Sequence, residues 1–419
     1  MTSKRPRIYY GYWILAACFL LSLICMGCGP VIFSFFVTSL EKAFGWGRTE
    51  IMSAFTVFFF CSGISGPVIG RLVHRWGSRR VILLGALTMA IGFVILSQMS
   101  SLWQYYLGYI LIGFGFTTAS PVVASYLIAN WFIRRRGTAI GLMATGVGLS
   151  GTIFTPLVIV CLIPNIGWSN TYLTFAVIVA AVPSLMALWV IRDKPADMGL
   201  LPDGVKVAAI DDTGGVIKPR AEGLTTKNAV STGTFWLLAP ATFLLFTNMG
   251  VWQNQTPHLE DIGFSSGIVA SAITLFSIVN IISTIAFGWL CDKIRIKLVV
   301  VIDIVLFITA IGILLLLNTG STAWLIWIYG ILVGLATGGG NTILPMLVST
   351  NFGLVSYATV FGIFYFFQLS GAAVGPMFAG YIYDELGTYH WAFIAIIIAM
   401  ALAIPLFLAA RRPTFPSDK

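Results

Sequence analysis

A chain of 419 residues that is 58% hydrophobic and 9% charged, with mean hydropathy +0.94, has too little polar surface to cover a water-soluble globule and needs lipid as part of its solvent. Its net charge of +9 is spread in short clusters between apolar runs, with no basic face interleaved with aromatics, which argues against nucleic acid as a partner. The six cysteines, Cys18, Cys25, Cys28, Cys61, Cys161 and Cys291, lie in or beside apolar segments, where they act as small packing residues rather than as a disulfide framework or metal site.

A helix needs about 20 apolar residues to cross the hydrocarbon core, because lipid offers no partners to unpaired backbone groups. Twelve such spans are predicted, at 12–37, 50–70, 80–98, 102–130, 138–161, 170–191, 232–257, 266–290, 298–317, 322–349, 355–379 and 388–410. The first follows Lys4, Arg5 and Arg7; it is longer than a signal-peptide core, lacks a small-residue cleavage site and is expected to be retained. Between the sixth and seventh spans lies a long polar stretch, Arg192 to Val230. It divides the chain into an N-terminal half at 1–191, a linker at 192–230 and a C-terminal half at 231–419. With the N-terminus cytoplasmic, 22 of the 24 Lys and Arg residues fall on the inside and only Lys42 and Arg48 outside, so both termini are expected in the cytoplasm.

The halves repeat one another. Gly70-Arg71-Leu72-Val73-His74-Arg75-Trp76-Gly77-Ser78-Arg79-Arg80 after span 2 lies 218 residues before Gly288-Trp289-Leu290-Cys291-Asp292-Lys293-Ile294-Arg295 after span 8. The same offset relates Gly45-Trp46 to Gly263-Phe264, and a similar one relates Gly141–Pro156 to Gly362–Pro376. The expected fold is an all-α polytopic membrane protein, twelve transmembrane helices in two six-helix pseudo-repeats around a central cavity.

The basic turn after spans 2 and 8 resembles the signature of the major facilitator superfamily, departing from it at His74, where the family usually has Asp; the second copy keeps Asp292. The resemblance implies a gating role for Gly70, His74, Arg75, Gly77, Arg80, Asp292 and Lys293, with the acid meeting nearby arginines to hold the cytoplasmic side closed. Further stretches resemble the branch of bacterial monocarboxylate transporters and oxalate/formate antiporters. They are Gly45-Trp46-Gly47-Arg48-Thr49, Asn130-Trp131-Phe132 with Arg134–Gly137, and Arg192-Asp193-Lys194-Pro195-Ala196-Asp197-Met198-Gly199-Leu200-Leu201-Pro202-Asp203-Gly204.

Polar groups at midmembrane depth are the candidate solute ligands, because each costs free energy there unless paired. Asn248, Trp252 and Gln255 in span 7 share a helical spacing, as do Thr274, Ser277, Asn280 and Thr284 in span 8. Thr117 and Thr118 in span 4, Thr145 in span 5, Asn341 in span 10 and Tyr365 and Gln368 in span 11 complete the set. The competing role for each is a hydrogen bond between packed helices. The resemblance implies an intramembrane basic residue in span 8 or 11, yet no Arg or Lys lies near the middle of any span; Asn280 and Gln368 stand in that region. A carboxylate would then be held by amide, hydroxyl and helix-end donors, and a neutral or aromatic, vitamin-like solute is the alternative.

Asp303 is the acid inside a span, and pairing with Lys293, Arg295 or Lys297 is expected to outweigh a proton-carrying role. His258, with Glu260 and Asp261, is expected in a solvated outer loop, with proton coupling as its other reading. Glycines and prolines at Gly27, Gly29, Pro30, Pro121, Pro156, Pro240, Pro257, Pro345 and Pro376 supply places to bend. No HExxH, GxSxG, Walker motif or intramembrane carboxylate pair is present, so neither an enzyme, nor ATP drive, nor a cofactor or metal is expected. The chain is expected to move a small organic solute by alternating access, as a symporter, exchanger or facilitator, with lipid and possible coupling protons as its other partners. A bacterial inner membrane and a functional monomer are expected.

Overall fold

The computed structural model describes residues 9–119, 121–204, 223–318 and 323–414. Lys4, Arg5 and Arg7 and the middle of the linker lie outside the described residues. Among those described, every long element is helical, and the one strand-like pairing is an isolated antiparallel bridge between Gly223 and Gly353. The linker's far end is thus tied to the C-terminal half, with Leu224 N donating to Phe352 O at 2.9 Å.

In the N-terminal half, α1 is Gly11–Cys28, α2 Arg48–Trp76, α3 Ser78–Ser97, α4 Leu102–Ala119 continued by Pro121–Trp131, α5 Arg136–Pro156 and α6 Ile163–Leu185. In the C-terminal half, α7 consists of Gly233–Phe246 and Met249–Asp261, followed by α8 Ser266–Lys293, α9 Ile296–Leu316, α10 Ala323–Phe352, α11 Tyr357–Leu386 and α12 His390–Ala409. All twelve expected spans are present. Their internal continuity differs from expectation in three places.

The first span ends as a helix at Cys28, just before Pro30, and the chain then passes through a tighter turn at Phe33–Phe36 into an eight-residue helix, Val37–Phe44. The fifth and sixth are joined without a loop: a wide helical turn, Leu157–Leu162, follows Pro156, and Gly167 takes φ 76° to reverse the chain. Proline removes the backbone donor that a regular turn needs, and only glycine enters that φ region cheaply. The seventh breaks at 247–248, and Asn248, whose carbonyl accepts from Trp252 N at 3.1 Å, opens its second segment.

Helix ends are fastened by side chains. Glu50 Oε2 accepts from Gly47 N at 3.0 Å at the start of α2, and Thr232 Oγ1 accepts from Phe235 N at 3.2 Å at the start of α7. Within each half, α3 packs on α4 and α6, α8 on α10, and α9 on α10 and α12. Between the halves there are two seams, α2 on α11 and α5 on α8.

Candidate functional site

The seams are built on glycine. A Cβ added at Gly70 would lie 2.3 Å from Ala358 O and 2.4 Å from Thr359 Cα, and one at Gly66 would lie 2.4 Å from Gly362 O. Across the molecule, a Cβ at Gly137 would lie 2.3 Å from Gly288 O and one at Gly141 2.7 Å from Thr284 O. The repeat carries one seam onto the other: Gly70 and Gly66 map to Gly288 and Thr284 at 218 residues, and Gly137 and Gly141 to Ala358 and Gly362 at 221. Backbones this close leave no room for solute or water, so the halves are shut together at the end that carries the basic turns.

Asp292 fastens one of these seams. Its Oδ1 accepts from Gly137 N at 2.7 Å, and its Oδ2 from Thr138 N at 2.8 Å and Thr138 Oγ1 at 2.7 Å. These donors are the free N–H groups opening α5, where a carboxylate also meets the positive end of the helix dipole. The expected arginine contacts are therefore replaced by a helix cap made by the other half of the molecule. His74, 218 residues earlier, occupies the equivalent place on the second seam, where it makes no such cap. Its exposed ring stands edge-on to Tyr126 with centroids 6.0 Å apart, and α11 opens at Ser356 with no side-chain cap. Arg75, Arg80 and Lys293 are exposed beside these turns, while Gly77, at φ 81°, makes the sharp corner from α2 to α3.

The run Arg192–Gly204, which in sequence is only a family resemblance, holds helix ends in place. Asp193 Oδ1 accepts from Ser78 N at 2.9 Å and so caps α3. Asp203 accepts from Ile133 N and Arg134 N, and Trp131 Nε1 donates to Arg192 O at 2.9 Å. Arg79 bonds to the carbonyls of Ala187 and Leu188. An acid just after a span, Asp193, and another ten residues later, Asp203, were the available signals.

The candidate solute ligands divide into two groups. Thr117 and Thr118 are fully buried; Thr117 Oγ1 donates to Ser62 O at 2.9 Å and Thr118 Oγ1 to Gly115 O at 2.6 Å, where a Cβ on Gly85 would overlap the Thr118 hydroxyl. Thr145 is buried and donates to Leu142 O at 2.7 Å. These three have packing roles, since a hydroxyl in a helix readily satisfies itself on the preceding turn. Asn248 is buried just past the break in α7, its Oδ1 without a partner among the described residues. Tyr365 is buried.

More open are Asn341, which is exposed, Trp252, 41% exposed, and Gln368, Asn280 and Ser277, which are half-buried. Asn280 Nδ2 donates to Thr337 Oγ1 at 2.8 Å, and its Oδ1 would lie 3.5 Å from a Cβ on Gly148, placing this amide where α8, α10 and α5 converge. Ser277 Oγ donates to Ile273 O at 2.9 Å. Gln255 is turned inward, accepting from Tyr329 OH at 2.6 Å beside a narrow crevice lined by Leu259, Phe276 and Val333.

Two expectations about titratable groups are corrected. His258 lies inside the second segment of α7, buried, edge-on to Phe393 at 5.1 Å and Tyr389 at 6.0 Å, because the helix continues to Asp261 and presses this face onto α12. The Glu260 side chain lies outside the described residues. Asp303 is 1% exposed and makes no ion pair among the described residues; Lys297 Nζ instead donates to Leu408 O at 2.8 Å.

Twelve apolar helices in two repeated sets of six, closed at one end by paired glycine seams, define a transporter fold. The profile described as Major Facilitator Superfamily matches residues 15–373 and 238–419, and the chain belongs to that superfamily. It is a transporter and not an enzyme. The chain is 25% identical to monocarboxylate transporter 13 of Bos taurus over 98% of its own length and 93% of that protein. It is 24% identical to the uncharacterized MFS-type transporter YcxA of Bacillus subtilis (strain 168) over 87% and 86%. The crystal structure of the human organic anion transporter MFSD10 (TETRAN) superimposes with TM-score 0.70 at 14% identity, covering 96% of this chain and 100% of that one. The proton:xylose symporter XylE gives 0.69 at 14%, covering 96% of both. At that identity the structures speak for the fold.

Proposed function

We propose that this protein carries an organic monocarboxylate across the membrane by alternating access, holding it with neutral donors at midmembrane depth. The observation that carries the reading is the pairing of a shut end with polar groups left open beyond it. Glycine seams exclude solute at the basic end, while Asn341 and Trp252 are exposed and Gln368, Asn280 and Ser277 are only partly covered. An amide exposed at that depth is costly against lipid, so a wetted cavity is its economical surrounding. The monocarboxylate transporters among its relatives supply the substrate class.

The excess of Lys and Arg in the basic loops supports a cytoplasmic position for the shut end and both termini, and we read the protein as a monomer in a bacterial inner membrane. On this reading the closed seams mark one end state, and rocking the halves about the site would exchange the open side. Proton coupling would fall to Asp303 or His258, or to a proton carried by the solute itself.

A second reading has its own support: the absence of Arg and Lys from the middle of every span, together with the accessible indole of Trp252, suits a neutral or aromatic solute held by stacking. The two readings separate in a thermal-shift screen of the detergent-purified protein against monocarboxylates, dicarboxylates, aromatic acids and neutral vitamins, since a ligand of the folded state raises apparent stability. A monocarboxylate shift that disappears in Asn341→Ala or Gln368→Ala supports the first; a shift with neutral aromatics and silence from every carboxylate replaces it with the second.

A further inference from the structure

Asp303 does not lie on the inter-half seams. It belongs to α9, which packs on α10 and α12, and its carboxyl faces the glycine run of α10: a Cβ added at Gly339 would lie 2.1 Å from Asp303 Oδ1. That oxygen is buried and has no hydrogen-bond partner among the described residues, and neither has Thr342 Oγ1 three residues along α10 from Gly339. The neighbouring Ser283 hydroxyl, against Gly338, is already committed to Leu335 O at 2.5 Å.

The repeat shows what this slot holds in the other half. Asp303 is equivalent to Gly85 at 218 residues, and Gly339 to Thr118 at 221, the offset that also relates Asn130-Trp131 to Asn351-Phe352. Gly85 and Thr118 touch as Asp303 and Gly339 do, so the same contact is made in both halves with the side chain contributed from opposite helices. The N-terminal half fills it with a hydroxyl that satisfies itself on Gly115 O. The C-terminal half fills it with a carboxyl that has no comparable option unless it carries a proton to donate.

The charged and titratable groups around it are few. On α9 itself Lys297 is bonded to Leu408 O, and on α8 the Cys291 thiol lies within electrostatic reach while Asp292 is taken up by Gly137 and Thr138. Helix α10 presents Gly338, Gly339 and Thr342, and α12 from Trp391 to Ala409 contains no titratable side chain. Among the described residues a carboxylate in this slot has no ion pair and its Oδ1 has no donor, whereas a carboxylic acid fits the role that Thr118 plays in the other half.

We propose that Asp303 is a proton-binding site set in the packing seam between α9 and α10, apart from the solute path, and that gain or loss of its proton shifts the Gly338–Asn341 segment. Asn341, two residues beyond Gly339, is the exposed end of that segment, so the proton would act on solute through the position of α10. The inference deepens the transport reading by giving its proton a place, and its test needs no solute.

The full-length protein in liposomes is examined by infrared difference spectroscopy between acid and alkaline buffer, and by spin-label distances between Arg134→Cys and Arg295→Cys, with Cys61 and Cys161 replaced by Ser. The expected result is a protonated-carboxyl C=O band that vanishes in Asp303→Asn, together with a pH-dependent distance that becomes pH-independent in that variant. A second variant, Asp303→Gly with Gly339→Thr, transplants the neutral pair of the first half; it is expected to fold and to match Asp303→Asn in both readouts. A band that survives in both variants overturns the site. A distance that keeps its pH response after the band is lost overturns the link to α10. Either failure leaves the carboxylate screen unaffected, and a silent screen leaves these spectra standing.

Discussion

Asp292 illustrates how much one carboxylate does when placed against a helix end. It satisfies two backbone donors and a hydroxyl that belong to the other half of the chain, so it contributes to closure rather than to the stability of either half alone. Losing a cap of this kind costs about 1–2 kcal/mol, which is roughly a 5- to 30-fold change in an equilibrium ratio. Asp292→Ala is expected to open the basic end by that order, seen as a longer spin-label distance between positions 134 and 295. His74 supplies the converse. His74→Asp places an acid where α11 lacks a cap and is expected to shorten the same distance, moving the equilibrium toward the shut state. An unchanged distribution in both variants would remove the capping residues from the gate.

At the scale of elements, the closed end consists of backbone laid against backbone. Van der Waals contact and small residues drive association of helices in lipid, where apolar side chains gain nothing by leaving the bilayer. Gly288→Leu puts a side chain into the Gly137 carbonyl, which lies 2.5 Å from the position of a Cβ there, and is expected to hold α5 and α8 apart. Gly380→Leu is the matched control, because a Cβ at Gly380 in α11 meets nothing within 4 Å. The label distance across the basic end should lengthen in the first and stay unchanged in the second, with both proteins folded by circular dichroism.

For the whole molecule, alternating access requires the halves to separate at the end now shut. Thr138 Oγ1 and Asp292 Oδ2 are 2.7 Å apart on opposite halves, so Thr138→Cys with Asp292→Cys can be bridged by oxidation. Uptake into liposomes of a solute identified by the thermal-shift screen is expected to stop on oxidation and return on reduction. Flux through the oxidised protein would rule out rocking of the halves as the mechanism.

The twelve spans, the two-fold repeat and the place of Asp292 in the second basic turn were legible in the residues, because lipid penalises every unpaired backbone group and a duplicated pattern keeps its spacing. The contacts were less legible. Hydropathy sets which residues enter the membrane but not which way they face, so it does not say that Thr117 turns to Ser62 O on α2 and Thr118 to Gly85 on α3. The polar stripe of α7 does not say that Gln255 is taken up by the Tyr329 hydroxyl, nor does the position of Asp303 say that Lys297 bonds to a carbonyl instead of to it. Local sequence by itself determined that this chain crosses the membrane twelve times as two related halves, since that follows from the cost of burying peptide groups. Only the tertiary structure decided which polar groups are spent holding helices together and which remain open, since that depends on the rotation of each helix about its axis and on the neighbour it meets.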